Sequence, residues 1–368
     1  MNNLNILIDC HVFDQSLQGT TTYVKGIYLE LIKDKTKNFY FVSHTYNLEE
    51  IFGTQENVHY IKFKSKNKFY RLLVELPQII KKHNIDYAHF QYIVPPLKRC
   101  KYIVSLHDVL FLDYPKYFPF IYKVSKKILY KYSAKYSDIV LTVSEFSKKR
   151  IEHHFNLQNI YITPNAVEAS FYESYDKVTV QKEVLEKFGI QNYFLFVSRW
   201  EPRKNHHLLL KVFAEKEYYK QYNLVFLGDE AIENKEYNNY YKSLSEEIKS
   251  KIFKLNKISF QDLLLINRAA QLSVYPSIAE GFGIPPLESI ACGIPTVCSN
   301  TTAMSDFDFM SDCLFDPYDA LDLDKKIKIA LSDQNLVEKK EKVYKKYNWS
   351  IAAKQIQNAI LDNNKFIN

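Results

Sequence analysis

Short apolar runs alternate along the chain with longer segments of helical periodicity, and this alternation leaves few folds open. The runs read as strands at Leu4–Ile8, Phe39–Val42, Tyr87–Phe90, Tyr102–Leu106, Ile139–Val143 and Ile160–Thr163, and then at Tyr193–Val197, Leu224–Leu227, Leu272–Tyr275 and Thr296–Ser299. Between them, 23–32, 70–82, 121–132, 208–215 and 262–269 carry the helical pattern. Strands that alternate with helices build βαβ units and a parallel sheet. Near-continuous apolar strands such as Tyr193-Phe194-Leu195-Phe196-Val197 suit a sheet covered on both faces. The series restarts after Pro164-Asn165, which divides the chain into a first domain over 1–170 and a second domain over 171–348. A final helix over 349–368 is expected to return to the first domain. At 368 residues, each half is large enough for its own core.

Composition narrows the function classes. Hydrophobic residues make up 46% and charged residues 25%, an ordinary globular balance. The opening residues lack a basic start, their apolar run ends at Asp9, and no stretch approaches a bilayer span, so a cytoplasmic location is expected. Five cysteines with no CxxC pair argue against a disulfide framework or zinc site. The net charge of +7 fits a phosphorylated substrate or an anionic membrane surface, and no nucleic-acid-binding module is present.

Chemistry concentrates in four places. Over 275–297, a strand leads into Ala279-Glu280-Gly281-Phe282-Gly283-Ile284, a short helix containing Glu288, and another strand. Pro285 or Pro286 suits the first helical turn and Gly293 the stop. Gly281 and Gly283 permit close backbone approach, and the helix start offers N–H groups to a phosphate. After the strand at 193–197 comes a basic loop, Ser198-Arg199-Trp200-Glu201-Pro202-Arg203-Lys204-Asn205-His206-His207, where strand ends of an open α/β sheet bind ligands. Its cations can neutralise a diphosphate, while His206 and His207 fit the start of the next helix. The strand at 102–106 ends in His107-Asp108, with Asp108 placed to orient the imidazole. Finally, 17–23 offers Gly19, Thr20, Thr21 and Thr22 after the first strand, Thr22 reading as the helix N-cap.

These segments resemble the Glu-x7-Glu signature and accompanying loops of the retaining GT-B glycosyltransferases, family four, over nearly the whole chain. The resemblance implies two Rossmann-like domains facing a cleft, a nucleoside diphosphate sugar as donor, and transfer of a hexose, mannose or a similar sugar, to a glycan or lipid-linked acceptor in surface polysaccharide synthesis. It implies catalytic roles for His107, Glu280, Lys204 and Arg203. Donor contacts are implied at Gly19, Arg199, Gly281, Phe282, Gly283, Ile284 and Glu288, with Glu280 on the sugar and Glu288 on the ribose. Thr20, Thr21 and Asp108 fall on the acceptor side. Arg203 and Arg199 compete for one arginine role, and Ser198 stands where the family often has glycine. No cofactor and no metal is implied; Asp306-Phe307-Asp308 has the spacing of a metal motif but lies outside any such site. An epimerase, a phosphorylase, or a non-catalytic nucleotide-sugar-binding subunit on the same fold is the alternative.

One further segment is amphipathic. Ile121, Val124, Ile128 and Tyr132 share one helical face and Lys123, Lys127 and Lys131 another. Such a helix packs on the sheet or lies on an anionic membrane.

Overall fold

The computed structural model describes residues 3–14, 19–44, 47–333 and 335–365. It divides into two units: residues up to Ala166 together with those from Asn348 onward, and Val167–Tyr347.

The first unit holds β1 (Leu4–Asp9), β2 (Lys37–Ser43), β3 (Val58–Lys62), β4 (Tyr87–Gln91), β5 (Lys101–Ser105), β6 (Ile139–Thr142) and β7 (Ile160–Ile162). They form one sheet in the order β3-β2-β1-β4-β5-β6-β7, every pair parallel. The second unit holds β8 (Tyr193–Val197), β9 (Asn223–Leu227), β10 (Ile252–Leu255), β11 (Leu272–Tyr275), β12 (Thr296–Ser299) and β13 (Leu314–Phe315). Their order is β10-β9-β8-β11-β12-β13, again parallel throughout. This is the doubly wound architecture expected, used twice. Strand order reverses between β1 and β4 and again between β8 and β11, and such reversals open a crevice at the carboxyl ends of the strands.

Central strands are apolar on both faces, as with the buried Ile6, Leu7 and Ile8 of β1 and Phe194, Leu195 and Phe196 of β8. Each such side chain contributes roughly 1.5–3 kcal/mol by leaving water. The strands absent from the sequence reading, β3, β10 and β13, all lie at a sheet edge. An edge strand is covered less completely, so it tolerates polar residues and loses the apolar signature.

Helix α1 spans Gly19–Leu31 and buries Thr21, Tyr23, Val24, Ile27, Tyr28 and Leu31. It starts earlier than expected, which places Thr22 inside the helix and corrects its reading as N-cap. Leu17 and Gln18 lie outside the described residues. A helical turn at Lys68–Tyr70 and a π turn at Arg71–Glu75 run directly into α2 (Leu76–Lys82). Helix α3 (Phe120–Tyr136) buries Tyr130, Ser133 and Ala134. Its expected apolar face stays outside: Ile121 is 81% exposed and Ile128 64%. The second unit contributes α4 (His206–Glu215) and α5 (Ile284–Ala291). The last helix, α6 (Trp349–Lys365), belongs to the first unit. It lays the Trp349 indole against Gly26 of α1, where a Cβ would stand 2.1 Å from Trp349 Cε2.

Candidate active site

In the second unit, the chain leaving β8 forms the loop 198–205 and the chain leaving β11 forms 276–283. Two backbone contacts fix the first loop. Ser198 N–H donates to the Leu227 carbonyl at 2.8 Å, prolonging the sheet. Gly228 sits at φ +149, and a Cβ there would meet the Ser198 carbonyl oxygen at 2.1 Å. The close approach thus falls to Gly228, and Ser198 is accommodated where the family often has glycine. Ile278 N–H then donates to the Arg203 carbonyl at 2.8 Å and joins the two loops.

This junction brings together an acid and two bases. Lys204 Nζ lies 2.5 Å from Glu280 Oε1, and Arg203 NH1 lies 3.2 Å from Glu280 Oε2. Arg203 also donates to the Ala279 carbonyl at 2.6 Å and pairs through Nε with Glu201 at 2.8 Å. From behind, Glu280 N–H donates to the Thr302 hydroxyl at 2.9 Å, with Thr302 in the left-handed region at φ +53. The three charged side chains are only 14%, 15% and 17% exposed. Arg199 is 59% exposed and stands 3.9 Å from Glu201. Of the two arginines that fit the same role in sequence, Arg203 is the one seated beside Lys204.

Burial pushes the Glu280 carboxyl up, but the charges of Lys204 and Arg203 and the hydrogen bonds from Lys204 and Ser277 overcome it and hold it at about 2. Burial likewise lowers Lys204, against the pull of Glu280. Glu280 is therefore an anion at neutral pH. Glu288, in α5, has the opposite environment: desolvation, aided by the charge of Glu168, pushes it up to about 8. Two glutamates eight positions apart thus differ in charge near neutrality, one a fixed anion and the other largely protonated.

Gly283 precedes α5 at φ +95, and a Cβ there would press on Met304 Cγ at 2.9 Å. Phe282 is buried against Phe307 and Tyr347. Gly281 and Ile284 are partly exposed beside it. Gly293 lies just beyond α5 at φ +75, the stop expected for it.

Several residues that hold this site carried no clear signal. Thr301 donates to the Ile278 carbonyl at 3.0 Å, so Thr301 and Thr302 brace the glutamate loop; their position after β12 was the available clue. His206 begins α4 as expected, yet its ring is fully buried and stacked on Trp200 at 4.1 Å and 10°. Burial and the charges of Lys204 and Lys254 hold that imidazole at about 3, so it packs as a neutral ring under the basic loop.

The remaining candidates lie in the first unit. His107 follows β5 and is buried, which lowers its pKa to about 4. Its Nε2 lies 2.9 Å from Gln91 Oε1, the Tyr23 ring stands edge-on to it with the centroids 4.7 Å apart, and Tyr92 tilts over it at 5.3 Å. Because an amide oxygen only accepts, Nε2 carries the proton and Nδ1 is left as an acceptor. This corrects the expected partner. Asp108 accepts instead from Leu110 N–H at 3.1 Å, and burial alone accounts for the histidine's shift. Behind Gln91, His89, Ser105, Tyr23, Tyr28 and Thr163 continue a buried hydrogen-bonded network. Thr20 bonds to the Tyr92 hydroxyl, Thr21 is buried, and Gly19 is exposed with open space around it. Gly19, Thr20 and Thr21 belong to the first turn of α1 and not to a loop.

Among the described residues, Asp312, Cys313 and Asp333 are close enough to share an ion. Lys339 Nζ already stands among them, at 3.0, 3.3 and 2.6 Å respectively. Asp308 pairs with Lys346.

Comparison with known sequences agrees with this arrangement. The model of Glycosyltransferase Family 4 matches residues 18–171, and that of Glycosyl transferases group 1 matches 177–349. The chain is 33% identical over 204 residues to the O-antigen chain mannosyltransferase RfbU of Salmonella typhimurium, covering 54% of this chain and 51% of that protein. The chain thus spans about half the length of this curated relative. It is 29% identical to O-antigen chain mannosyltransferase B of Escherichia coli over 68% of this chain and 67% of that one. The fold is shared with HepE of Anabaena, solved in complex with UDP-glucose, with a TM-score of 0.72 over 98% of this chain and 100% of that one at 14% identity. Two parallel-sheet units in tandem, matched in turn by the two family models, make this chain a GT-B glycosyltransferase of group 1, family 4.

Proposed function

We propose that the protein transfers a hexose, mannose by relationship, from a nucleoside diphosphate sugar to a glycan or lipid-linked glycan during surface polysaccharide assembly, with retention of anomeric configuration. The observation that carries this reading is the Glu280 carboxylate held between Lys204 and Arg203 where β8 and β11 end. Two largely buried cations suit a diphosphate and the charge that grows on it as the sugar departs. Glu280, ionised beside them, suits the sugar ring, and Glu288 the ribose hydroxyls. His107, neutral with Nδ1 open, suits a sugar hydroxyl that donates. The leaving phosphate takes the proton of the attacking acceptor hydroxyl. The cationic pair supplies the positive charge that this chemistry requires, so turnover continues in EDTA.

The reading extends to a cytoplasmic enzyme attached to the inner membrane face. Among the described residues no helix is long and apolar enough to cross a membrane. Helix α3 instead leaves Phe120, Ile121, Val124 and Ile128 exposed among Lys123, Lys127 and Lys131. Each lysine near an anionic surface adds about 1 kcal/mol. Co-sedimentation with phosphatidylglycerol vesicles at low salt tests attachment, and failure to sediment contradicts it. A screen of nucleoside diphosphate sugars by thermal shift and donor hydrolysis tests the activity; a protein that binds and consumes none of them is not this transferase.

A further inference from the structure

Behind His107 the first unit buries a run of polar side chains in the middle of its sheet. His89 and Gln91 stand two positions apart on β4, which puts them on one face, and Gln91 is in register with Ser105 at the end of β5. Tyr23 and Tyr28 come from α1, and Thr163 follows β7. His89, Ser105, Tyr23 and Thr163 are fully buried and Tyr28 nearly so. Burying such groups is costly unless each finds a partner.

The distances connect them into one chain. The Tyr28 hydroxyl lies 2.7 Å from His89 Nδ1, and His89 Nε2 lies 2.8 Å from Ser105 Oγ. The Tyr23 hydroxyl joins Ser105 Oγ, at 3.1 Å, to Thr163 Oγ1, at 2.6 Å. Gln91 branches from this chain, with Nε2 at 3.4 Å from His89 Nε2 and Oε1 at 2.9 Å from His107 Nε2. Burial holds both imidazoles neutral, His89 at about 3 and His107 at about 4. Each ring therefore carries a single proton, on one of two nitrogens.

Direction at one link fixes direction at the next. The Gln91 amide nitrogen only donates, so His89 Nε2 accepts from it and from Ser105. The His89 proton is then on Nδ1 and is donated to Tyr28. Gln91 Oε1 accepts from His107 Nε2, which leaves His107 Nδ1 as an acceptor. A second arrangement reverses every link. Tyr28 donates to His89 Nδ1, His89 Nε2 donates to Ser105, and the hydroxyls of Ser105 and Tyr23 pass the direction on to Thr163, which donates to the Thr142 carbonyl at 3.3 Å. The Gln91 amide must then turn, offering Oε1 to His89 and its NH2 group to His107 Nε2, and the His107 proton moves to Nδ1. The first arrangement keeps the amide as it stands, whereas the second pairs the Tyr28 proton.

We propose that His89 is a positioning residue for His107: the Gln91 amide couples the two rings, so that the nitrogen carrying the proton in one decides which nitrogen carries it in the other. A mixed pair sets a Gln91 N–H against an imidazole N–H, or its oxygen against a bare ring nitrogen, and inside a protein an unmet donor is costly. The inference rests on the transferase reading in one respect, that His107 Nδ1 receives a hydroxyl of the sugar.

The test is the tautomeric state of both rings, read from two-bond proton–nitrogen correlation spectra of the full, ligand-free chain with its 10 histidines labelled with nitrogen-15. In the wild type the proton is expected on Nδ1 of His89 and on Nε2 of His107. Tyr28→Phe removes the acceptor of His89 Nδ1–H. It should move the His89 proton to Nε2 and the His107 proton to Nδ1, although the Tyr28 hydroxyl bonds to His89 and not to His107. Ser105→Ala removes the acceptor that the reversed chain needs, and should leave both rings in the first arrangement. Tyr87→Phe, which deletes a hydroxyl elsewhere on β4, should leave both rings as in the wild type. Rings that disagree in any of these proteins, the same His107 tautomer in Tyr28→Phe and Ser105→Ala, or movement in Tyr87→Phe overturns the proposal. Tyr28→Phe should also lower donor kcat/KM by roughly 2–10-fold, the range of one neutral hydrogen bond. An unchanged kcat/KM with both rings moved removes the positioning role. Donor turnover by the wild type separates the two readings. Rings that move together in a protein consuming no donor sink the transferase alone, and rings that disagree in an active protein sink the coupling alone.

Discussion

Replacing Glu280 by glutamine removes the anion between Lys204 and Arg203 while keeping the side chain's shape. The fall of its pKa from the ordinary 4.5 to about 2 sets the magnitude, about 3 kcal/mol in favour of the folded, ionised form. For an acid held below its unfolded value, this contribution is present above the unfolded pKa and disappears as pH falls through the folded one. At pH 7 the variant therefore loses all of it. The loss agrees with the 3–5 kcal/mol typical of breaking a buried ion pair. In a unit of this size it corresponds to a Tm lowered by roughly 6–12 °C. The same change frees two cations for a phosphate ligand and removes a carboxylate that repels one. Nucleoside diphosphate should therefore raise the Tm of Glu280→Gln more than that of the wild type. Differential scanning fluorimetry at pH 7, with and without the nucleotide, measures both. A ligand-free variant as stable as the wild type, or one with a smaller nucleotide-induced shift, refutes the reasoning.

Other outcomes follow from the same geometry. Glu280→Ala should lower kcat by about a hundredfold or more, as loss of a preorganised electrostatic group does, whereas Glu288→Ala should mainly raise the donor KM; steady-state kinetics separate the two, and equal effects on both constants contradict the assignment. With Glu288 held at about 8, the native state keeps a proton that the unfolded chain releases above pH 4.5, so stability is lost as pH rises toward 8. The advantage of Glu288→Gln in denaturation experiments should accordingly grow from pH 5 to 8 and then level off, and a pH-independent difference contradicts it. Gln91→Glu sets a carboxylate against His107 Nε2 and should raise the imidazole pKa, moving the acid limb of the kcat profile to higher pH; an unmoved limb removes His107 from the reaction. Gly26→Ala forces the Trp349 indole away and should lower the Tm of the first unit despite a helix-propensity gain of about 1 kcal/mol, so a raised Tm refutes that packing.

The sequence was most legible where burial on two faces imposed apolar strands, as in β1 and β8, and where glycine and proline marked the ends of α5. It was least legible at the edges, where Val58–Lys62 and Ile252–Leu255 mix polar and apolar residues because one flank is open. Site residues were readable as types but not as partners. Arg199 and Arg203 are equivalent on paper and separate only when the loop folds Arg203 back onto Ala279 and Glu280. Asp108 follows His107 in sequence, yet Gln91, on the adjacent strand β4, reaches the ring. The protonation contrast between Glu280 and Glu288 was equally invisible, because it depends on burial in the fold, which raises Glu288, and on cations far along the chain, Lys204 and Arg203, which overcome that burial at Glu280.

The most direct test of the central claim is donor turnover by purified protein over a panel of nucleoside diphosphate hexoses, in EDTA, comparing the wild type with Glu280→Gln. The account predicts that the wild type consumes a donor, with a nucleoside diphosphate mannose foremost, and that the variant binds the nucleotide while its turnover collapses. A wild type that consumes no donor, or a variant that consumes it at the wild-type rate, would contradict the account.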